Sequence, residues 1–492
     1  MFSRTPNAKI IEGKSGILTA YVPRLMILYM KDELGLSLKL AYGSGDLGFS
    51  ITTTMVGAYL SIFLTDVVGL APTLVATAIF IGRSVDYIND PIIGHLVDRT
   101  RSRWGRRRPY LLFGALPFGA TFLLLWLRPP LNNPALLAAY YGGAYALFDT
   151  AATFVYMPYY ALTPEIAPSY DQRTSLTSFR MSFSIIGSLI VFVLPWAFIG
   201  SFSPDNADRI LVFAVGVAII SVLPLFICFA AVHERPEFQK ESVPNLKGSL
   251  KAAFGNRAFL FGAVIFLATW VCIDLLQALI VYYIKHVIQR ESYMDLIMAL
   301  IFVTALISIP LWNFLSGRWD KRLAYIVGAA FLAICLGLLS FLGATTSMGV
   351  IAVLSVAAGI GVGAAHVIPW SILPDAVELD EYETGERHEG MFYSLITLAQ
   401  KAASSIALPL VLLMLGAAGY APRAEKQSES AIRGIRLVMS IIPALLLGSG
   451  AIFALKYPLK REDHKRLTAE LDERRRNYAD VQIDPAEAPT TE

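Results

Sequence analysis

The stretch APTLVATAIFIGRSVDYINDPIIGHLV, residues 71–97, is long enough to cross a bilayer, yet it holds Arg83, Asp86, Asn89 and Asp90 within two turns. A spanning helix needs about 20 mostly apolar residues, and spacings of three and four put the polar groups on one face of it. A charged side chain at the bilayer centre costs roughly 2.5–3.5 kcal/mol on insertion scales, so two acids and a base this close together belong against a polar cavity. Carboxylate and amide oxygens one turn apart are ligands for Na⁺, Li⁺ or a proton, and Pro91 can free a backbone carbonyl beside them. With two acids against one base, the stripe is one positive charge short and reads as a cation site.

Composition agrees with a membrane setting. Of 492 residues, 55% are hydrophobic and 16% charged, with a mean hydropathy of +0.56, too apolar for a soluble protein of this length. Irregular backbone is excluded where lipid touches it, so the expected fold is an all-α membrane bundle. The net charge of +3 is small and unevenly placed, which makes it a topology signal and gives no reason to expect a nucleic-acid partner. Cys228, Cys272 and Cys335 fall in apolar segments without metal-ligand spacing. The chain also lacks a nucleophile elbow and a zinc-type His–Glu motif, so it is not expected to be an enzyme or to hold a cofactor.

Hydropathy predicts twelve transmembrane helices, near 45–66, 72–97, 109–128, 136–162, 177–202, 209–232, 258–285, 295–316, 323–343, 348–373, 390–416 and 434–456. The polar linker 233–257 divides them into two six-helix halves, 42–232 and 258–456, followed by a charged tail, 457–492. An aromatic-and-basic hairpin after the second span, Asp98 to Arg108, has a counterpart after the eighth, Ser316 to Arg322. This repetition suggests a duplicated unit, as in transporters built from parallel repeats. The loops after spans two, six and eight carry six Arg, five Lys/Arg and three Lys/Arg. By the positive-inside rule they face the cytoplasm and place both termini there, in a multi-pass protein of the inner membrane. The loop after span eleven, with Arg423, Lys426, Arg433 and Arg436, runs against that pattern. Residues 1–41 stand apart as an extension, read either as a start assigned too far upstream of Met30 or as an interfacial amphipathic helix.

Further ionisable residues fall at membrane depth: Asp46, Asp149, Arg180, Asp274 and Lys401, each a functional candidate by that position alone. Arg180 and Lys401 are the bases best suited to balance the acidic stripe. A cation competing with Lys401 for the acids would couple ion occupancy to conformation. Spans four and ten add Tyr145, Thr153, Tyr156, Tyr159, Tyr160, His366 and Trp370. Aromatic faces beside carboxylates and Arg suit a sugar ring, although Tyr159 and Tyr160 also fit an interfacial belt. At the cytoplasmic side, Asp98, Arg99, Arg106 and Arg107 of the first hairpin tie helix ends together. The acidic loop holding Asp375 and Asp380 could pair with them as a gate when that side closes, each exposed pair being weak.

At these residues the chain resembles the glycoside–pentoside–hexuronide:cation symporters of the major facilitator superfamily. The words that carry the resemblance are Thr65-Asp-Val-Val-Gly-Leu70, Arg83-Ser-Val-Asp-Tyr-Ile-Asn-Asp-Pro91, Thr100-Arg-Ser-Arg-Trp-Gly105, Pro158-Tyr-Tyr-Ala-Leu162 and Asp375 to Tyr382, followed by Thr397 and Lys401. The resemblance runs from about Ala41 to Lys456. It implies a cation site of Asp86, Asn89 and Asp90 with Thr153, Thr397 close by, and a neighbouring sugar pocket near Arg180 and Lys401. The acids that hold sugar in the family's melibiose carrier are absent: Ser50 and Tyr156 stand at those positions, and a pocket Trp is His366. Asp46, one turn before Ser50, could supply a substitute acceptor.

The expectation is a monomeric carrier that symports a sugar or glycoside with Na⁺ or H⁺ by alternating access, with Arg83, Asp149 and Trp370 among its substrate contacts. Animal relatives of the family carry lysolipids, so the alternative keeps the fold and changes the solute to a lysolipid or other non-sugar. A lateral opening and an apolar cavity would mark that alternative.

Overall fold

The computed structural model describes residues 34–167, 170–234, 253–385, 389–424 and 426–483. The amino-terminal extension to residue 33 and most of the expected linker lie outside them. Every regular element described is helical. Nine helices are long and apolar enough to cross a membrane among these residues. They are α1 (Leu36–Val68), α6 (Tyr170–Ile199), α7 (Ala207–Ala231), α8 (Arg257–Ile288), α9 (Met294–Arg318), α10 (Lys321–Leu339), α11 (Met348–Thr384), α12 (Glu389–Ala417) and α13 (Glu429–Leu455).

Three expected spans have a different composition, for visible reasons. The second is split at Val85 into α2 (Pro72–Ser84) and α3 (Asp86–Arg99) by its polar stripe. The third, α4 (Arg108–Leu124), is short, and the fourth, α5 (Pro134–Ala161), is rich in tyrosine. A last helix, α14 (Arg461–Ile483), is strongly polar.

The helices form two packed bundles. In the first, α1 lies against α6 and α7, α4 against α5 and α7, and α2 against α5. In the second, α9 and α10 pack on α11, and α8 and α10 pack on α13. The bundles meet where α2 touches α12, α6 touches α9 and α1 touches α8. These contacts form a related set if the bundles are parallel repeats about an axis along the membrane normal. A shared backbone irregularity supports the relation: α1 and α8 both finish in a π-helical turn, Phe63–Val68 and Tyr283–Ile288, closed by a left-handed residue, Gly69 (φ 90°) and Gln289 (φ 57°).

Close backbone approach is bought with glycine at a few places that matter. A Cβ on Gly48 would lie 2.4 Å from the Ser221 carbonyl oxygen of α7, and one on Gly82 would lie 2.0 Å from the Tyr145 ring of α5. Small residues at such crossings let membrane helices pack where lipid offers no hydrophobic driving force.

The structure corrects one boundary. The acidic stretch from Asp375 is not a loop, because α11 continues through Thr384 despite Pro369 and Pro374. Each proline removes a backbone donor, and side chains from neighbouring elements pin the helix around and after them. Asn256 Nδ2 donates to the Ala376 carbonyl at 2.9 Å and Lys321 Nζ to that of Ser371 at 2.9 Å.

Candidate functional site

The polar stripe spans α2 and α3, which follow one another through Val85 with helical dihedrals kept there (φ −69°, ψ −25°). The turn at Val85 separates Arg83, at the end of α2, from Asn89 and Asp90 on α3, and the two ends reach different partners. Arg83 Nε donates to the Tyr145 hydroxyl at 3.0 Å, an approach that the missing side chain of Gly82 permits. Asp149 and Asp274 also act on the Arg83 charge. Asn89 Nδ2 donates to Thr150 Oγ1 at 2.7 Å. Asp90 Oδ2 accepts from Lys401 Nζ of α12 at 2.8 Å, an ion pair that crosses from one bundle to the other. Its side chains keep 34% (Lys401) and 30% (Asp90) of their surface, which leaves an ion access to the pair. Asp86 opens α3, but its side chain lies outside the described residues, as does that of Asp98.

A second cluster sits within the first bundle. Tyr160 donates to Asp46 Oδ1 at 2.8 Å, and Arg180 Nε stands 3.8 Å from Asp46 Oδ2 with its guanidinium 4.7 Å over the Tyr160 ring. Tyr160 is therefore part of a buried polar cluster and not an interfacial anchor. Two residues expected near substrate hold helices together instead. Ser50 donates to the Ser184 carbonyl at 2.5 Å and shares a 2.7 Å bond with Ser188, tying α1 to α6. Tyr156 is 2% exposed, its ring 4.5 Å from that of Phe49 and 5.3 Å from that of Phe118. Thr153 is nearly buried, and the Thr397 hydroxyl donates to its own helix at Tyr393, 2.8 Å away.

The second bundle contributes a cluster of aromatic rings. Trp270 lies 5.3 Å from His366 and 6.1 Å from Trp370, and Trp370 stacks parallel to Tyr393 at 6.3 Å. His366 Nδ1 lies 3.0 Å from the Val362 carbonyl oxygen. Sequence reasoning missed Trp270, although its position one turn before Asp274 was the available signal. Asp274 itself accepts from the Ser404 hydroxyl of α12.

The two ends of the molecule differ. At the arginine end each described ion pair stays within one bundle. Arg106 and Arg107 reach Glu165 at 3.1 and 2.9 Å, and the Arg106, Arg107 and Arg108 backbone N–H groups donate to Glu234. Asp375 pairs with Lys321 at 2.6 Å, while Asp380 is buried. Arg99 is exposed. At the opposite end the bundles are fastened together. Asp66 of α1 accepts from Lys285 of α8 at 2.6 Å and from Tyr420 at 2.5 Å, with His286 3.5 Å away. Arg423 donates to the Val67 carbonyl at 2.7 Å and to that of Val68, and Arg436 donates to the Leu342 carbonyl. Two of the loop bases that ran against the charge pattern are thus capping helix ends.

Two helical bundles joined by an ion pair at membrane depth and fastened together at one end define a multi-pass membrane carrier of the major facilitator type. The match to the family described as MFS/sugar transport protein covers residues 41–461, and the chain belongs to that family. It is 32% identical to an uncharacterized symporter of Synechocystis sp., over 91% of this chain and 98% of that one. It is 28% identical to sodium-dependent lysophosphatidylcholine symporter 1-A of Danio rerio, over 90% and 87% of the two chains. Among solved structures it is similar to the inward-open xylose transporter XylE of E. coli, with a TM-score of 0.62 and 18% identity over 88% of this chain and 99% of that one, a likeness of fold alone. The chain is a secondary active transporter of symporter type.

Proposed function

We propose that this transporter moves an amphiphilic solute of the lysophospholipid class, driven by Na⁺, by alternating access between its two bundles. The Asp90–Lys401 pair carries the coupling half of the proposal. Na⁺ entering beside Asp90 and Asn89 displaces the Lys401 ammonium and releases α12 from α3, so ion occupancy biases the equilibrium between conformations. Asp86 and Thr153 would complete the ion's oxygen shell. The solute half rests on the relatives' printed activity and on Ser50 and Tyr156, whose polar atoms are engaged within the first bundle. The aromatic wall of Trp270, Trp370 and Tyr393 offers an apolar surface, while Arg180 and Asp46 can meet a zwitterionic head group. With the arginine end cytoplasmic, the Asp66–Lys285 pair would close the outer side, the arrangement expected of an inward-facing state.

A second reading, a glycoside of the kind carried by glycoside–pentoside–hexuronide symporters, is favoured by the same wall, because parallel Trp370 and Tyr393 can stack on a sugar ring. Uptake into proteoliposomes under imposed Na⁺ or H⁺ gradients separates the readings. The proposal expects Na⁺-driven accumulation of lysophosphatidylcholine. Accumulation of a pentoside or hexoside instead, or no dependence on Na⁺, would overturn it.

A further inference from the structure

On the outer face of the first bundle, α4 and α5 diverge around a groove of about 540 Å³ that no step of transport uses. Its walls include Tyr110, Phe113, Pro117, Leu147, Ala151 and Phe154. Three threonines also line it, and each hydroxyl is engaged by a protein partner. Thr100 bonds the Leu96 carbonyl and the Tyr110 hydroxyl at 2.8 and 2.6 Å, Thr121 donates to the Pro117 carbonyl at 2.8 Å, and Thr150 donates to the Ala146 carbonyl at 2.7 Å. What faces the groove is carbon. From Pro109 to Thr121 it runs about 18 Å at 1.5 Å per residue, the depth of one leaflet of a hydrocarbon core about 30 Å thick.

The mouth is basic. Arg99, Arg101 and Arg103 are exposed next to Thr100. The Arg103 guanidinium lies 4.3 Å over the Trp104 ring, which in turn stands 5.8 Å from Phe113 on the groove wall. The positive charge is thereby fixed over the end of the apolar slot, whereas Arg106 and Arg107 are held by Glu165. Basic pockets beside membrane helices attract anionic lipid head groups, and an apolar slot one leaflet deep takes an acyl chain.

We propose that this groove is a binding site for an anionic diacyl phospholipid of the leaflet at the arginine end, with one chain along α4 and α5 and the phosphate against Arg99, Arg101 and Arg103. The site stands apart from the Asp90–Lys401 contact between the bundles and does not depend on the solute proposed above. Its inner wall is Thr150, the partner of Asn89, so an occupied groove supports the helix that carries Asp90.

Native mass spectrometry of the purified full chain tests the site without reading transport. Synthetic phosphatidylglycerol, phosphatidylethanolamine or lysophosphatidylcholine is added in turn to wild type and variants. Wild type is expected to retain phosphatidylglycerol over phosphatidylethanolamine by about fivefold for each arginine engaged. Ala151→Phe, which fills the slot, should lose the adduct. Leu147→Trp, at an exposed position that tolerates bulk, should do the same if Ala151→Phe does not give a monodisperse protein. The triple variant Arg99→Gln, Arg101→Gln, Arg103→Gln should retain both diacyl lipids equally. Unchanged phosphatidylglycerol retention in a well-folded groove variant would overturn the proposal. So would displacement of the adduct by lysophosphatidylcholine, which would make the groove a cargo subsite.

Discussion

Asp90 and Lys401 show what one residue can do here. An exposed ion pair contributes little to stability, and this pair is half-open, so its importance is in what it competes with. Replacing Asp90 by Asn removes the anion that both Lys401 and the arriving cation use. Na⁺-driven accumulation in proteoliposomes should fall about tenfold or more, within the coupling range of a few kcal/mol typical of linked sites, while solute counterflow persists. Wild-type accumulation by that variant would show that the cation is held elsewhere. Replacing Lys401 by Gln removes the competitor instead, and Na⁺ binding measured by calorimetry should tighten about fivefold or more. The residue types of this cluster were legible from spacing alone, because acids and bases at membrane depth are rare enough to stand out. Asp66, Lys285, His286 and Tyr420 were not, because each sits at a span's end where a polar residue attracts no notice.

Among the elements, α14 is docked through a histidine, so its hold is expected to weaken as pH rises. Hydropathy marked its residues only as a charged tail, yet it folds as a helix against the end of α11. Tyr382 donates to Glu470 at 2.8 Å, and His464 Nε2 lies 2.7 Å from Glu378 and 3.3 Å from Asp375. The hydrogen bond to Glu378 raises the His464 pKa above its ordinary value, with Asp375 adding to the effect and partial burial and Lys321 opposing it. Since the docked imidazole holds its proton more tightly than a free one, its contribution is full below the ordinary histidine value of about 6.5 and is lost as pH rises through the raised pKa. Its side chain is 26% exposed, so the effect stays near 1 kcal/mol or below. Hydrogen exchange of Arg461–Ile483, corrected for intrinsic rate, should show protection falling a few-fold between pH 6 and pH 8.5. In His464→Gln that pH dependence should vanish; an unchanged profile would place the sensitivity in another group. The sequence also hid the helical character of residues 375–384, because Pro369 and Pro374 just before them normally signal a stop and the side chains that bond this stretch come from 54 and 120 residues away in sequence.

For the whole molecule, the duplication read from two basic hairpins has a deeper trace at the closed end. The matching π-helical turns of α1 and α8 bring Asp66 of one and His286 of the other to 3.5 Å, with Lys285 completing the bond. Equivalent positions of the two repeats meet there because they lie near the axis that relates the bundles. Deleting one partner would strand the other charge, at a cost of about 3–5 kcal/mol, whereas parting the end returns both groups to water, so the pair can fasten this end and still let it open. Alternating access requires this end to part, and α6 and α9 must separate with it. Phe192 of α6 and Phe302 of α9 stack there with ring centroids 3.8 Å apart. The double variant Phe192→Cys, Phe302→Cys should therefore form a disulfide under mild oxidation and lose solute uptake in proteoliposomes, recovering it when a thiol reductant is added. Each single variant should keep its activity under the same oxidant. If the crosslinked protein still exchanges solute at the uncrosslinked rate, the bundles do not separate at α6 and α9, and transport proceeds by a motion other than rocking about the closed end.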